Sequence, residues 1–164
     1  VGGLSEWVDL DLVASLARHR AQWTFVLVGP ASIDTSPLRG LPNVRLLGPR
    51  PYADLPTYLA AMDVGLIPFR RNDVTYHADP IKAYEYLAAG LPVVATDMPA
   101  LRRLAPEVGL ADSVDGFLKS IQAAIDEGRD ARRAQRQAEA QRHSWDNRFA
   151  QFEHLVDQQL ACAP

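Results

Sequence analysis

The stretch Asp79-Pro-Ile-Lys-Ala-Tyr-Glu-Tyr-Leu-Ala-Ala-Gly-Leu-Pro-Val-Val-Ala-Thr96 reads as a helix followed at once by a buried strand. Asp79 ahead of Pro80 is the pattern of an N-cap and a first helical residue, because proline's missing N–H costs nothing there. The helix is expected over residues 80–89 and the strand over 91–96. Helical spacing turns Ile81, Tyr84, Leu87 and Ala88 to the sheet and leaves Lys82, Glu85 and Ala89 on the opposite stripe, facing the loops.

The same alternation extends in both directions. Upstream, a helix is expected over 9–20, with Leu12, Val13, Leu16 and Ala17 at helical spacing. The apolar, β-branched run 23–29, stopped by Gly29-Pro30, reads as a buried strand. A strand over 43–48, a helix over 53–62 and a strand over 63–68 follow. Downstream come a short strand over 108–111 and closing helices over about 113–128, 130–143 and 144–161. Short buried strands alternating with helices imply βαβ units with right-handed crossovers. The expected fold class is therefore α/β: one Rossmann-like parallel sheet, with 25–28 and 93–95 in the same sheet and helices on both faces. The chain is expected to be one domain, 1–164, with a helical closing segment from about 113. Val1-Gly2-Gly3 reads as the end of a strand entering a glycine turn, so a longer protein with most of that strand upstream is expected.

The chain has 164 residues, 17 basic and 20 acidic side chains, a formal net charge of −3 and 48% hydrophobic residues. A core of ordinary size needs no disulfide or structural metal at this length. The lone cysteine, Cys162, permits no internal bridge and pairs with no histidine as a metal-ligand motif. No apolar run approaches the roughly 18 residues of a membrane span. The scattered basic residues give no nucleic-acid footprint. Six arginines between 129 and 148 outnumber three acids, but without interleaved aromatics they read as the solvated face of a helical tail.

In open sheets of this kind ligands bind at the carboxyl ends of the strands, so the loops after the strands are where chemistry is sought. Dinucleotide, P-loop, nucleophile-elbow and zinc motifs are all absent. Lysine in a first helical turn works against the helix dipole, and this chain uses fifteen arginines but two lysines, so Lys82 stands out. A compact ammonium can set a point charge on one phosphate. Glu85, three residues on, could accept two hydrogen bonds from a vicinal diol such as a ribose. The alternative is an i,i+3 ion pair between Lys82 and Glu85, worth a few tenths of a kcal/mol.

Pro80-x-Lys82-x-x-Glu85-Tyr-Leu-Ala-Ala-Gly90-x-Pro92-Val-Val-Ala-Thr resembles the donor-binding signature of retaining glycosyltransferases of the B-type fold, the group often called family 4. Trp7-Val-Asp9, Phe25-Val-Leu-Val-Gly-Pro30, Asn43-Val-Arg-Leu-Leu-Gly48, Tyr52-Ala-Asp-Leu-Pro56 and Ala61-Met-Asp-Val-Gly-Leu-Ile-Pro-Phe69 follow the order of that family's carboxy-terminal domain, up to about Gly116. The resemblance implies one half of a two-domain enzyme whose amino-terminal acceptor domain is not in this chain. It implies a nucleoside diphosphate sugar as donor substrate, no metal or cofactor, and transfer with retention. Glu85 would hold the ribose, Lys82 the diphosphate, and the backbone at Leu47 and Gly48 the base edge. The Gly2-Gly3 turn would let phosphate approach, with Arg70 or Arg71 assisting or simply solvated. Tyr52 and Tyr76 could stack on the base or serve as packing. It also implies a cytoplasmic protein, or one peripheral to the inner membrane in its full length.

The wider family carries a first glutamate eight residues before the second, and here that position is His77. His77 is then the candidate catalytic-site contact to the donor sugar, as a hydrogen-bond donor, while Asp79 is spent on capping. Half of a nucleotide-sugar epimerase and a non-catalytic nucleotide-binding module are the alternative readings.

Overall fold

The computed structural model describes residues 1–161, so Cys162 lies outside the described residues. Helix α1 (Leu10–His19) starts at Asp9, whose carboxylate accepts from the Leu12 N–H at 2.9 Å, and buries Leu10, Val13, Ala14, Leu16 and Ala17. Strands β1 (Phe25–Val28) and β2 (Val44–Gly48) run parallel, Phe25 beside Val44. The helix expected over 53–62 is a 3-10 turn at Tyr52–Asp54 running into α2 (Leu55–Ala60). Strand β3 (Gly65–Ile67) follows, then a loop that contains one turn of helix, α3 (Asp73–Tyr76). Helix α4 (Ile81–Ala88) leads to β4 (Val93–Thr96), and a single turn, α5 (Pro99–Arg102), leads to β5 (Val108–Ala111). Helices α6 (Val114–Glu127), α7 (Arg133–Arg142) and α8 (Trp145–Ala161) close the chain.

Every strand pairing is parallel, in keeping with the expected α/β class. Strand β4 is buried at all four positions because it is central and covered on both faces. Val94 joins the core under α1 and α6, while Val93 and Ala95 join the core under α4 and α5, as period-two alternation requires.

The single sheet expected from the sequence is instead two: β1 pairs with β2, and β3, β4 and β5 form a separate three-stranded sheet. Residues 25–28 and 93–95 therefore lie in different sheets. Two isolated bridges among the described residues stand beside the gap at its carboxyl end, Leu4 with Ala31 and Val8 with Phe69.

The expected face of α4 is also corrected. Ala83, Tyr86 and Leu87 are buried, whereas Ile81 is 51% exposed and Ala88 faces solvent. Tyr86 takes the inner position because its ring lies flat on β3. A β-carbon at Gly65 would stand 2.5 Å from that ring, so only glycine leaves room.

The arginine-rich tail is stitched to the body. Arg136 is buried and donates to the carbonyls of Gly90 (3.2 Å) and Arg129 (2.8 Å). Arg129 donates to Ala60 and Met62 carbonyls, Arg132 to Glu107, and Arg148 to Asp79. Beyond these contacts α8 leaves Trp145, Phe149, Phe152, Leu155 and Leu160 exposed.

Candidate functional site

Three glycines stand side by side where strands end. Gly2 donates its N–H to the Val28 carbonyl at 2.7 Å, and Gly29 donates to the Gly48 carbonyl at 2.9 Å. Gly2 and Gly29 have φ of +124° and +145°, conformations that L side chains rarely adopt. Gly48, at φ +69°, ends β2 with open space where a β-carbon would be. Bare backbone therefore lines this rim.

Lys82 projects from the first turn of α4 across Gly2. A β-carbon at Gly2 would stand 2.9 Å from the Lys82 Cε. Its Nζ lies 2.6 Å from Glu85 Oε2, and both side chains are about one quarter exposed, 25% and 26%. The i,i+3 ion pair is thus formed. The Val1 amino group adjoins the pair and donates to the Tyr86 hydroxyl at 2.7 Å. Burial first, and the Lys82 charge second, lower its pKa from 8.0 to about 6, against the opposing pull of Glu85. Burial and the Glu85 charge push the Tyr86 phenol well above its usual value.

Pro80, not Asp79, occupies the N-cap position of α4, and no side chain caps the helix. The backbone N–H groups of Ile81 and Lys82 consequently have no acceptor among the described residues. Asp79 sits one residue too early to cap. Its carboxylate instead accepts from Tyr84 at 2.8 Å, Arg103 at 2.6 Å and Arg148 at 3.3 Å. The Arg148 guanidinium lies 5.0 Å from the Tyr84 ring centroid. Burial pushes the Asp79 carboxyl up, but the Tyr84 hydrogen bond and the Arg103 charge outweigh it and hold the group below its ordinary value.

The loop before α4 is built rather than loose. Asn72 and Thr75 form a reciprocal capping box on α3, and the Thr75 hydroxyl also donates to the Arg70 carbonyl. His77 follows α3, exposed, with Nδ1 2.8 Å from the Asp73 carbonyl and its ring edge-on to Tyr76. A carbonyl only accepts, so Nδ1 carries the proton and Nε2 of the neutral ring is an acceptor.

A family model described as glycosyl transferases group 1 matches residues 4–127. The chain belongs to this glycosyl transferases group 1 family. TuaH of Bacillus subtilis (strain 168), named as a teichuronic acid biosynthesis glycosyltransferase, is 32% identical over 108 residues, 63% of this chain and 27% of that protein. The fold is shared with AviGT4, a glycosyltransferase involved in avilamycin A biosynthesis, at a TM-score of 0.69 and 19% identity. That match covers 99% of this chain and 51% of AviGT4, so this group 1 chain spans about half the length of the one relative and about a quarter of the other.

Within this group 1 domain the expected site residues fall into two sets. Gly2, Gly3 and Lys82 line one cavity, with Glu85 held to it through Lys82. Leu47 and Gly48 form the end of β2, linked to Gly2 through Gly29. Arg70 is drawn away to Asp11 at 3.4 Å. Arg71 stays solvent-exposed near Asp97, whose carboxyl is held low by two 2.8 Å hydrogen bonds from Arg102, then by the Arg102 charge and that of Arg71. Tyr52 is exposed, and Tyr76 packs on His77. The sequence reading missed Thr96, which accepts from the Phe69 N–H at 2.9 Å and donates to the Phe69 carbonyl at 2.8 Å, fixing where the loop leaves β3. It also missed Arg103 and Arg148, whose partner Asp79 lies 24 and 69 residues away and leaves no local signal.

Among the described residues no three His, Cys, Asp or Glu side chains are grouped to hold a metal ion, and no helix is long and apolar enough to cross a membrane.

Proposed function

We propose that this chain is the donor-binding half of a glycosyltransferase that moves a sugar from a nucleoside diphosphate sugar to an acceptor hydroxyl, with retention and without a metal ion. The position of Lys82 carries the reading: its ammonium lies across the Gly2 backbone, beside two unpaired N–H groups of an eight-residue helix. Positive helix-end dipole, a point charge and a bare glycine turn are the elements that a diphosphate needs. A phosphate oxygen replaces Glu85 as the partner of Lys82, and the freed carboxylate turns to the ribose hydroxyls. The backbone at Leu47 and Gly48 meets the base edge, His77 meets the sugar, and Arg71 adds charge on the far side of the diphosphate.

Such a site neutralises a leaving diphosphate with protein groups alone. The acceptor and the groups that position it belong to an amino-terminal domain outside this chain. Donor binding without useful turnover is therefore expected of residues 1–164.

Calorimetry with UDP, GDP and ADP in the presence of EDTA tests the reading. The expected result is binding of at least one diphosphate more tightly than its monophosphate. No binding at millimolar concentration, or binding only with added Mg²⁺ or Mn²⁺, overturns it.

A further inference from the structure

The Asp79 carboxylate stands beside the amino end of α4 and does not use it. Too early in sequence for the N-cap, an aspartate ahead of a proline can still accept from the N–H two residues on, here that of Ile81, in an Asx-turn. The next N–H along is that of Lys82, and among the described residues neither group has an acceptor. The local arrangement would therefore satisfy an orphan donor and set a negative charge at the positive end of the helix dipole. The structure holds the carboxylate elsewhere.

Three side chains from three elements hold it. The Tyr84 hydroxyl, further along α4, donates to Oδ1 at 2.8 Å. Arg103, at the end of α5, and Arg148, in α8, both donate to Oδ2, at 2.6 and 3.3 Å. Each holder is itself fixed. Arg103 also donates to the Tyr84 hydroxyl at 2.6 Å, so that hydroxyl accepts from the guanidinium and gives its own proton to the carboxylate. Arg148 lies over the rings of Tyr84 and Trp145, 5.0 and 6.0 Å from their centroids, and its Nε donates to the His143 carbonyl at 3.3 Å. Charge-assisted bonds from two guanidinium groups outweigh what a neutral backbone N–H offers the same carboxylate.

We propose that Arg103 and Arg148 are positioning residues of the donor site: by holding the Asp79 carboxylate off the amino end of α4, they keep the N–H groups of Ile81 and Lys82 open to the diphosphate. The inference rests on the donor reading given above. A released carboxylate turns to the Ile81 N–H, takes the place of a phosphate oxygen and sets its own charge against the incoming anion. Because Arg148 belongs to α8, the seating of that helix and the openness of the donor site become one property. Helix α8 thereby takes part in the site without touching the donor.

The test follows amide hydrogen exchange by NMR in three chains: the parent, the paired variant Arg103→Ala with Arg148→Ala, and the same pair with Asp79→Ala added. Ala89, whose N–H is bonded to the Glu85 carbonyl, is the internal reference. Exchange at Ile81 is expected to slow by roughly threefold or more in the paired variant and to return to the parent rate once Asp79→Ala is added. Unchanged or faster exchange in the paired variant overturns the proposal, as does slowing that persists without the carboxylate.

The same three chains are titrated with UDP, GDP and ADP in EDTA. The diphosphate that the parent binds best should bind the paired variant roughly fivefold or more weakly, and the triple variant within about twofold of the parent. A loss that Asp79→Ala does not reverse means that the guanidinium groups act on the ligand or the fold directly, and overturns the proposal. If the parent binds none of the three, the donor reading fails by itself, and the exchange comparison alone decides whether the arginines restrain the carboxylate. Should the paired variant not fold, Arg103→Ala with and without Asp79→Ala carries the same comparison, with slowing of about twofold expected at Ile81.

Discussion

A β-carbon added at Gly29 would stand 2.0 Å from the carbonyl oxygen of Gly2. Gly29→Ala must therefore push apart two backbones while also holding φ near +145° with a side chain. Each strained backbone conformation costs about 1–3 kcal/mol, so a loss of about 3 kcal/mol or more is expected. Gly48→Ala is the control: φ is +69° with open space around it, and about 1 kcal/mol is expected. Urea unfolding of both variants decides the point, and equal losses would refute the close contact.

The Lys82–Glu85 pair gives opposite expectations for stability and for binding. At one quarter exposure an i,i+3 pair contributes a few tenths of a kcal/mol, so Lys82→Ala and Glu85→Gln are expected to unfold almost as the parent does. Lys82→Ala should weaken a diphosphate by roughly 1.5–3 kcal/mol and leave the nucleoside nearly unaffected. Glu85→Gln should weaken ribonucleotides more than their 2′-deoxy analogues. His77→Ala should matter only for the intact sugar nucleotide. Titration of each variant with nucleoside, diphosphate and sugar nucleotide checks all three, and ligand-independent losses would point to folding instead.

In residues 1–164 prepared with a free amino group at Val1, that amine makes stability depend on pH. Its folded pKa, about 6, lies below the ordinary 8.0, so between these values the unfolded chain takes up a proton that the folded chain refuses. Stability should thus rise from pH 6 to pH 8, by on the order of 2 kcal/mol, and stay level above. Acetylation of Val1 should flatten the curve. Thermal melts of free and acetylated chain across this range provide the measurement; a slope that survives acetylation contradicts the assignment.

Asp79 separates a cap from a clamp. Asp79→Ser keeps a good capping residue but removes the acceptor shared by Tyr84, Arg103 and Arg148, and it is expected to lose as much stability as Asp79→Asn, about 1 kcal/mol. The carboxyl titrates below its ordinary 3.8, so its contribution is present above that value and disappears as pH falls through the lower folded one. A double-mutant cycle of Asp79→Asn with Arg148→Ala should show coupling of about 0.5 kcal/mol or more. Full rescue by serine would restore the capping reading.

The apolar runs 23–29 and 91–96 and the amphipathic stretch 9–20 determined by themselves that strands alternate with helices, because burial on two faces or on one stripe is written in the period of the side chains. Lys82 and Glu85 were legible for the same reason: three residues apart on a helix is one face, whatever surrounds it. The face of α4 that turns inward was not. Tyr84 and Tyr86 are alike in composition, and the choice fell to Gly65, which alone admits a ring against β3. Asp79 before Pro80 carried a local capping signal that was overridden by Arg103 and Arg148, guanidinium groups brought from other elements to one carboxylate. The division into two sheets was likewise invisible locally. Strand character is a property of each segment, but membership of a sheet depends on whether a neighbour lies within hydrogen-bonding distance, and among the described residues no strand pairs with both β1 and β3.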